Sequence, residues 1–410
     1  MEGPAIAPAR VFMMSPSNRE ITILSVSRVA RSIAAGMISV AFPYYILTTL
    51  KYGAFVIGMI YVSATVATAV LGLFFGMLTD LWGRKGSLVI ASLLLPVSSL
   101  MVYLSGSLWV IFPAAMLGGY SATGSLAGGG VGGVVAPIQN AVLTGFTAEK
   151  DRTKYFSFLT FLSGVTAAVG SLLSRMLDVR EIFAAATVVS ALGVLVLVVL
   201  QAPAHKGKIN RLNARMTIGK FTLTGMLNGF SQGLVVPFLI PFFVLVYHLP
   251  KSEMAVYAFV GGLLGSVSLL AAPYLEKRLG FVKSIIWTRG IGAFLFILFP
   301  LLRLLPISIV IYVIAPSLRV MALPIQQSEM TKRVDDDEIG RALGINQVAR
   351  LASSSTGTGL SGFLMDTPAF GVPFLIYGLT MVINLYLYLR FFGSRRAGRT
   401  TEQSGSVESG

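Results

Sequence analysis

The chain has 410 residues, 55% hydrophobic and 12% charged, with a formal net charge of +15 and a mean hydropathy of +0.78. A soluble domain is about one-quarter charged, so this composition excludes an ordinary globular protein and places the chain in lipid. Without cysteine there is no disulfide framework, thiol catalysis, cysteine zinc site or iron–sulfur cluster, and two distant histidines, His205 and His248, offer no basis for a metal or histidine-dependent enzyme.

Residues 1–20 have no apolar stretch before a small-residue cleavage site, so no removable signal peptide is expected and the first membrane helix serves as its own insertion signal. Twelve apolar runs of spanning length follow, roughly 21–47, 53–78, 86–105, 108–131, 153–174, 181–201, 219–248, 253–275, 284–302, 305–328, 343–365 and 369–391. A bilayer crossing takes about 20 residues at a rise of 1.5 Å each. The fourth run is the weakest, because the glycines from Gly128 to Gly133 oppose helix formation, and a break there with resumption through Pro137 to Phe146 is expected. A charged, glycine-bounded turn, Gly76 to Lys85, separates the second and third runs.

The basic residues lie in short loops and form no basic domain, so nucleic acid is not an expected partner and the positive charge reads as topology. With both termini and the even-numbered hairpins on one side, that side receives 22 Lys and Arg and the other five, which predicts cytoplasmic termini. The long basic connection from Gln201 to Lys220 divides the chain. The expected organisation is an N-terminal segment (1–20), a six-helix bundle (21–201), a basic linker (202–218), a second six-helix bundle (219–392) and a disordered tail (393–410).

The halves look duplicated. Pro43-Tyr44-Tyr45 recurs as Pro241-Phe242-Phe243, 198 residues on, and the turn ending at Gly83 recurs as Glu276 to Gly280, 197 on. The acid-then-Arg turn at Arg152 has its counterpart at Arg341, 189 on, and the glycine run would absorb the difference.

The Gly76–Lys85 hairpin resembles the loop motif G-x-x-x-D-[RK]-x-G-R-[RK] of the major facilitator superfamily, departing from it at Leu81, where the family has a basic residue. The wider resemblance covers essentially the whole chain: twelve spans, a basic central loop, a degenerate second motif at Glu276 to Gly280 and acid-then-Arg turns at Arg152 and Arg341. It implies an all-α polytopic membrane protein of two pseudo-symmetric six-helix bundles that moves a solute by alternating access, with no cofactor and as a functional monomer in the plasma membrane. In the family this hairpin bridges spans 2 and 11 and holds the outward-open state, which implies gating roles for Gly76, Asp80, Gly83, Arg84 and Arg341. A solvated turn that only sets topology is the plainer alternative.

Ionisable residues inside spans are expensive and need a partner, water or a purpose. Here all of them are cations: Arg28, Arg31, Arg289, Arg319 and Arg350, whereas the 17 acids fall in loops, at helix ends or in the tails, Glu329 coming nearest a span interior. Polar stripes at helical spacing accompany them: Ser25, Arg28, Ser32, Gly36 and Ser39 in span 1, Thr224, Asn228 and Gln232 in span 7, and Asn346, Arg350, Ser354 and Thr358 in span 11. Spans 1, 4, 7 and 10 line the cavity in the superfamily. The expected substrate contacts are therefore Arg28, Asn228, Gln232, Arg319 and Gln326, with Tyr44 and Tyr120 as aromatic walls. The alternatives are that Arg28 snorkels to the interface, that Arg350 pairs with Glu329 or the acids from Asp335 to Glu338, and that the stripes only pack helices.

A small anion is the expected substrate. Export of amphipathic drug-like compounds is the alternative, although span 5 lacks the Gly-Pro pair of the family's drug–proton antiporters. A membrane sensor lacks an output domain, and a membrane enzyme lacks a cluster of His, Asp and Ser at membrane depth.

Overall fold

The computed structural model describes residues 16–120, 133–143, 146–147, 149–201, 215–334, 339–367 and 370–393. Thirteen α-helices run in chain order: α1 (Pro16–Tyr44), α2 (Ala54–Leu104), α3 (Leu108–Gly118), α4 (Val135–Leu143), α5 (Glu149–Leu173), α6 (Val179–Val198), α7 (Arg215–Val235), α8 (Leu239–Tyr247), α9 (Lys251–Leu279), α10 (Phe281–Leu302), α11 (Leu305–Thr331), α12 (Ile339–Met365) and α13 (Val372–Phe392). There is no strand among the described residues. Among the described residues nine segments are long and apolar enough to cross a membrane, and Leu108–Gly118 and Ser157–Leu173 are shorter apolar helices. The linker from 202 to 214, with His205, the glycine run from 128 to 132, the acids from Asp335 to Glu338 and the tail beyond 393 lie outside the described residues.

Several boundaries differ from expectation. The charged hairpin is not a ten-residue turn: α2 stays helical through it except at Gly83, so one residue reverses the chain between spans 2 and 3. Run 4 stops before its glycine-rich stretch, at Gly118, where Gly119 takes the left-handed conformation (φ 58°) and closes α3. Span 1 extends past Pro43 by a π-helical turn, Tyr45–Thr49, and span 7 is α7 and α8 joined by a 3₁₀ turn at Val236–Phe238.

Gly83 (φ 82°, ψ 161°) and Gly280 (φ 76°, ψ 167°) share a backbone conformation essentially reserved for glycine, at the positions the repeat equates. A Cβ at Gly280 would meet nothing within 4 Å, so its cost is conformational only. Gly280→Ala is expected to destabilise the protein by about 1–3 kcal/mol in thermal unfolding, and an unchanged midpoint would show that the turn relaxes freely.

The duplication extends into packing. A methyl on Gly36 of α1 would overlap the Ala167 carbonyl of α5, and one on Gly233 of α7 would overlap the Ser354 carbonyl of α12. Reciprocally, Gly170 abuts the Ile33 carbonyl and Gly357 the Phe230 carbonyl. Ser171 Oγ donates to the Gly36 carbonyl at 3.1 Å as Thr358 Oγ1 does to Gly233 at 3.2 Å. The offset is 197 residues between α1 and α7 (36 to 233) and 187 between α5 and α12 (167 to 354). Arg152 and Arg341, expected in turns and equated at 189, instead lie in the first turns of α5 and α12, two residues out of register with the rest of those helices.

One end of the molecule carries Glu20, Gln201 and Phe392, and is called here the terminal end; the far end carries Tyr44, Ser107, Lys251 and Asp366. At the far end the main apolar core draws on both halves, from Ile38, Ile57 and Tyr120 to Phe243, Ala258 and Tyr312, with a small cluster of Met37, Ala41 and Ile182 beside it. At the terminal end there are two cores, one built only from residues 23–200 and one only from 218–392. The halves meet mainly through α2 against α12 and α5 against α9, with α1 also touching α8 and α9. Among the described residues the halves share a core at the far end and keep separate cores at the terminal end.

Candidate functional site

Each half gathers arginines from its helices and surrounds them with amides in place of acids. In the first half, α1 brings Arg28 and Arg31 to α4 and α5: Arg28 Nε donates to Ser163 Oγ at 2.5 Å, one Arg28 Nη to Asn140 Oδ1 at 3.2 Å, and Arg31 to Gln139 Oε1 at 3.2 Å. Gln139 in turn donates to the Leu24 carbonyl at 2.7 Å, which fixes its oxygen toward Arg31. Arg28 is 4% exposed, so it does not snorkel.

The second half holds three cations. Arg289 of α10, 1% exposed, donates to Asn384 Oδ1 at 3.0 Å and Gln326 Oε1 at 2.6 Å and lies 5.1 Å over the Tyr388 ring. Asn384 Nδ2 donates to the Thr224 carbonyl at 2.7 Å, so one amide ties α7, α10 and α13 together. Arg350 of α12, half-buried, donates to Gln232 Oε1 at 3.2 Å and to Gln347 Oε1 at 2.7 Å. It does not pair with Glu329, which instead takes Arg333 and, at 3.9 Å, Lys332. Arg319 of α11 is 3% exposed, and its Nε and one Nη have no hydrogen-bond acceptor among the described residues. The charges of Arg289, Arg319 and Arg350 act on one another, and Tyr377 faces Arg319. Among the described residues the only buried acid is Glu20, at the terminal end of α1, where it accepts from the Gln201 N–H.

Of the residues expected to contact substrate, Gln232, Gln326 and Arg319 sit in or beside the three-arginine cluster, Asn228 is buried on α7 with an unpartnered Oδ1, and Arg28 belongs to the other half's cluster. The two tyrosines take other places. Tyr44 donates across the halves to the Leu249 carbonyl at 2.6 Å and helps seal the far end, while Tyr120 packs edge-on to Phe42 in the core and shares a hydrogen bond with Ser99. The polar stripes of α1 and α12 prove in part to be packing faces: Asn346 donates to the Phe221 carbonyl, and Gly36 and Thr358 lie in the helix contacts described above. Sequence reasoning left out Gln139, Asn140, Ser163, Tyr377 and Asn384. None stands on a stripe with an arginine of its own helix, and each becomes visible only across helices.

Of the gating residues, Gly83 makes the turn, Gly76 lies in the helical run before it, and Arg84 is partly buried and engaged with a neighbour. The side chains of Asp80 and Arg341 lie outside the described residues. Spans 2 and 11 do meet, but at the far end, where Gly58 and Gly362 let α2 and α12 cross almost backbone to backbone. A pocket between the halves is lined by Ser39, Tyr61 and Gly164 on one side and Val236, Gly262 and Tyr312 on the other.

A duplicated bundle of membrane-length helices joined by a shared apolar core, with arginines buried between its helices, defines a polytopic membrane transporter. The family profile of the Major Facilitator Superfamily matches residues 24–358, and the chain belongs to that superfamily. Solved structures share the fold. The D-xylose–proton symporter aligns at a TM-score of 0.74 with 16% identity, over 92% of this chain and 98% of that one. A point mutant of the nucleoside transporter NupG aligns at 0.73 with 14% identity, over 91% and 100%. A bacterial homologue of the human lysosomal transporter Spinster, inward-facing and unoccupied, aligns at 0.70 with 13% identity, over 92% and 96%. No curated protein matches.

Proposed function

We propose that the protein carries a small organic or inorganic anion across the plasma membrane by alternating access, as a monomer with both termini in the cytoplasm and no cofactor. The halves 21–201 and 219–392 rock about the far-end contacts, and the basic linker 202–218 joins them on the cytoplasmic side. The carrying observation is Arg319: a buried guanidinium with two unpartnered nitrogens, acted on by two further arginines and by no acid among the described residues. Buried ionic groups are ordinarily paired, and a buried donor left without an acceptor costs about 1–3 kcal/mol. An incoming carboxylate or phosphate would supply both the acceptors and the missing charge, and Asn228, Gln232 and Gln326 supply polar contacts around it. Among the described residues Glu20 and Glu329 stand at the ends of their spans, so no carboxylate at mid-span offers a route for proton coupling.

The positive-inside count supports cytoplasmic termini, and on that reading the terminal end, where the halves keep separate cores, faces inward. Export of amphipathic compounds is a second reading, favoured by a pocket between the halves that sets two tyrosines beside Pro43, Leu239 and Ile240.

Thermal unfolding of the protein in nanodiscs against a panel of mono- and dicarboxylates, inorganic phosphate, phosphate esters, neutral sugars and nucleosides, and lipophilic cations tests the choice. A ligand at 100 times its Kd stabilises by about 2.7 kcal/mol, and anions alone are expected to reach that level. Stabilisation by lipophilic cations or neutral solutes with none by anions would overturn the anionic reading.

A further inference from the structure

Two charged side chains at the far end carry the wrong sign for their own helix and the right sign for a helix of the other half. Asp366 follows the last turn of α12, where a negative charge opposes the helix dipole; Lys251 opens α9, where a positive charge does the same. Each is instead spent across the interface. The Asp366 carboxylate caps α2: Oδ1 accepts from the Ala54 N–H at 2.6 Å and Oδ2 from the Phe55 N–H at 2.9 Å. Helix α2 has no side-chain cap of its own, because Gly53 precedes it, and a Cβ at Gly53 would stand 2.7 Å from the carboxylate. The Lys251 ammonium donates to the Ser174 carbonyl at 2.8 Å and to the Leu177 carbonyl, in the turn that ends α5, and Asp178 and Glu181 add attraction.

The two contacts are related by the internal repeat: Ala54 and Lys251, 197 residues apart, begin corresponding helices, and each meets the end of the helix that corresponds to the other's partner. We propose that Asp366 and Lys251 form a crossed pair of charge-to-helix-end latches that hold the far end shut and set the resting conformation, and that they must break for that end to open. Both are reversible in water: Asp366 is exposed and Lys251 half-exposed, so hydration replaces the lost contacts when the halves part. The reading does not depend on what the cavity carries.

The natural absence of cysteine allows spin labels to be placed directly. Ser107→Cys with Leu304→Cys reports the far end and Lys85→Cys with Lys283→Cys the terminal end, all four being exposed. Distances are read by double electron–electron resonance in nanodiscs with no solute added. A surface charge at a helix end contributes about 0.3–1 kcal/mol, so Asp366→Asn and Lys251→Met are each expected to lower the ratio of far-end-closed to far-end-open protein about two- to fivefold. In each variant the far-end distance lengthens as the terminal-end distance shortens, and the double variant shifts further. Unchanged distributions in both variants would overturn the latches. So would lengthening at both ends together, which marks loosening of the fold in place of rocking.

Discussion

Replacing Arg319 by glutamine is expected to separate stability from function, raising the one while abolishing the other. The guanidinium is buried with two nitrogens unpartnered and lies within reach of two like charges, so in the empty protein it is a net cost. Removing an uncompensated buried charge is stabilising, by about 1–4 kcal/mol where a buried ionic group has been replaced by neutral residues. Thermal unfolding without ligand should therefore shift upward. The anion-dependent stabilisation should vanish, because each hydrogen bond from a charged group contributes about 1.5–3 kcal/mol to binding, which is roughly a ten- to hundredfold loss of affinity per bond. Proteoliposome flux of any anion found in the panel should fall by the same order. Arg319→Lys keeps the charge without the forked geometry and should retain weak binding. Undiminished flux in Arg319→Gln would remove Arg319 from the site, and a lowered unfolding midpoint would show that its charge is paired in the empty protein.

Enlarging Gly36 or Gly233 is expected to abolish folding, and to do so equally in the two halves. At both positions the space a Cβ would fill holds a backbone carbonyl of the facing helix, which cannot rotate away as a side chain can. Membrane helices associate through close packing of this kind, without a hydrophobic force between them, so separation loses the contact outright. Overpacking costs about 1–3 kcal/mol where side chains can yield, and Gly36→Val and Gly233→Val should exceed that range. Fluorescence-detected size-exclusion chromatography should show little monodisperse protein for either valine variant and a reduced fraction for the alanines. A wild-type profile for Gly36→Val would mean that α1 and α5 do not meet at this carbonyl. A large difference between the two positions would mean that the halves are not equivalent in packing.

These outcomes bear on why some features are visible in the chain and others are not. Gly83 was legible because a glycine between two apolar runs and beside Arg84 has few roles other than a reversal. The glycines of α1 and α7 were legible only as members of polar stripes, since their purpose lies in a carbonyl more than a hundred residues away. Helix α12 shows the same limit: Asn346, Arg350, Ser354 and Thr358 share one face, yet that face divides between contacts with α7 and the arginine cluster, and periodicity alone does not apportion it. Arg289 was visible as an expensive charge in a span, but Asn384, 95 residues further along, gave no sign of being its partner. Asp366 and Lys251 read as ordinary loop charges, because a sign that opposes its own helix gains meaning only when the other half is in place.

By itself the sequence determined that the chain crosses a bilayer repeatedly, that its halves are copies and that its intramembrane charge is wholly positive. Each of these follows from local quantities: apolar run length, composition and recurrence. Tertiary structure alone decided which helices meet, at which end the halves share a core, and that Arg319 has two nitrogens without an acceptor among the described residues while Arg289 reaches two acceptors and leaves only its Nε without one. Those depend on groups brought together across spans, where contact is set by the packing of helix faces and leaves no trace in spacing along the chain.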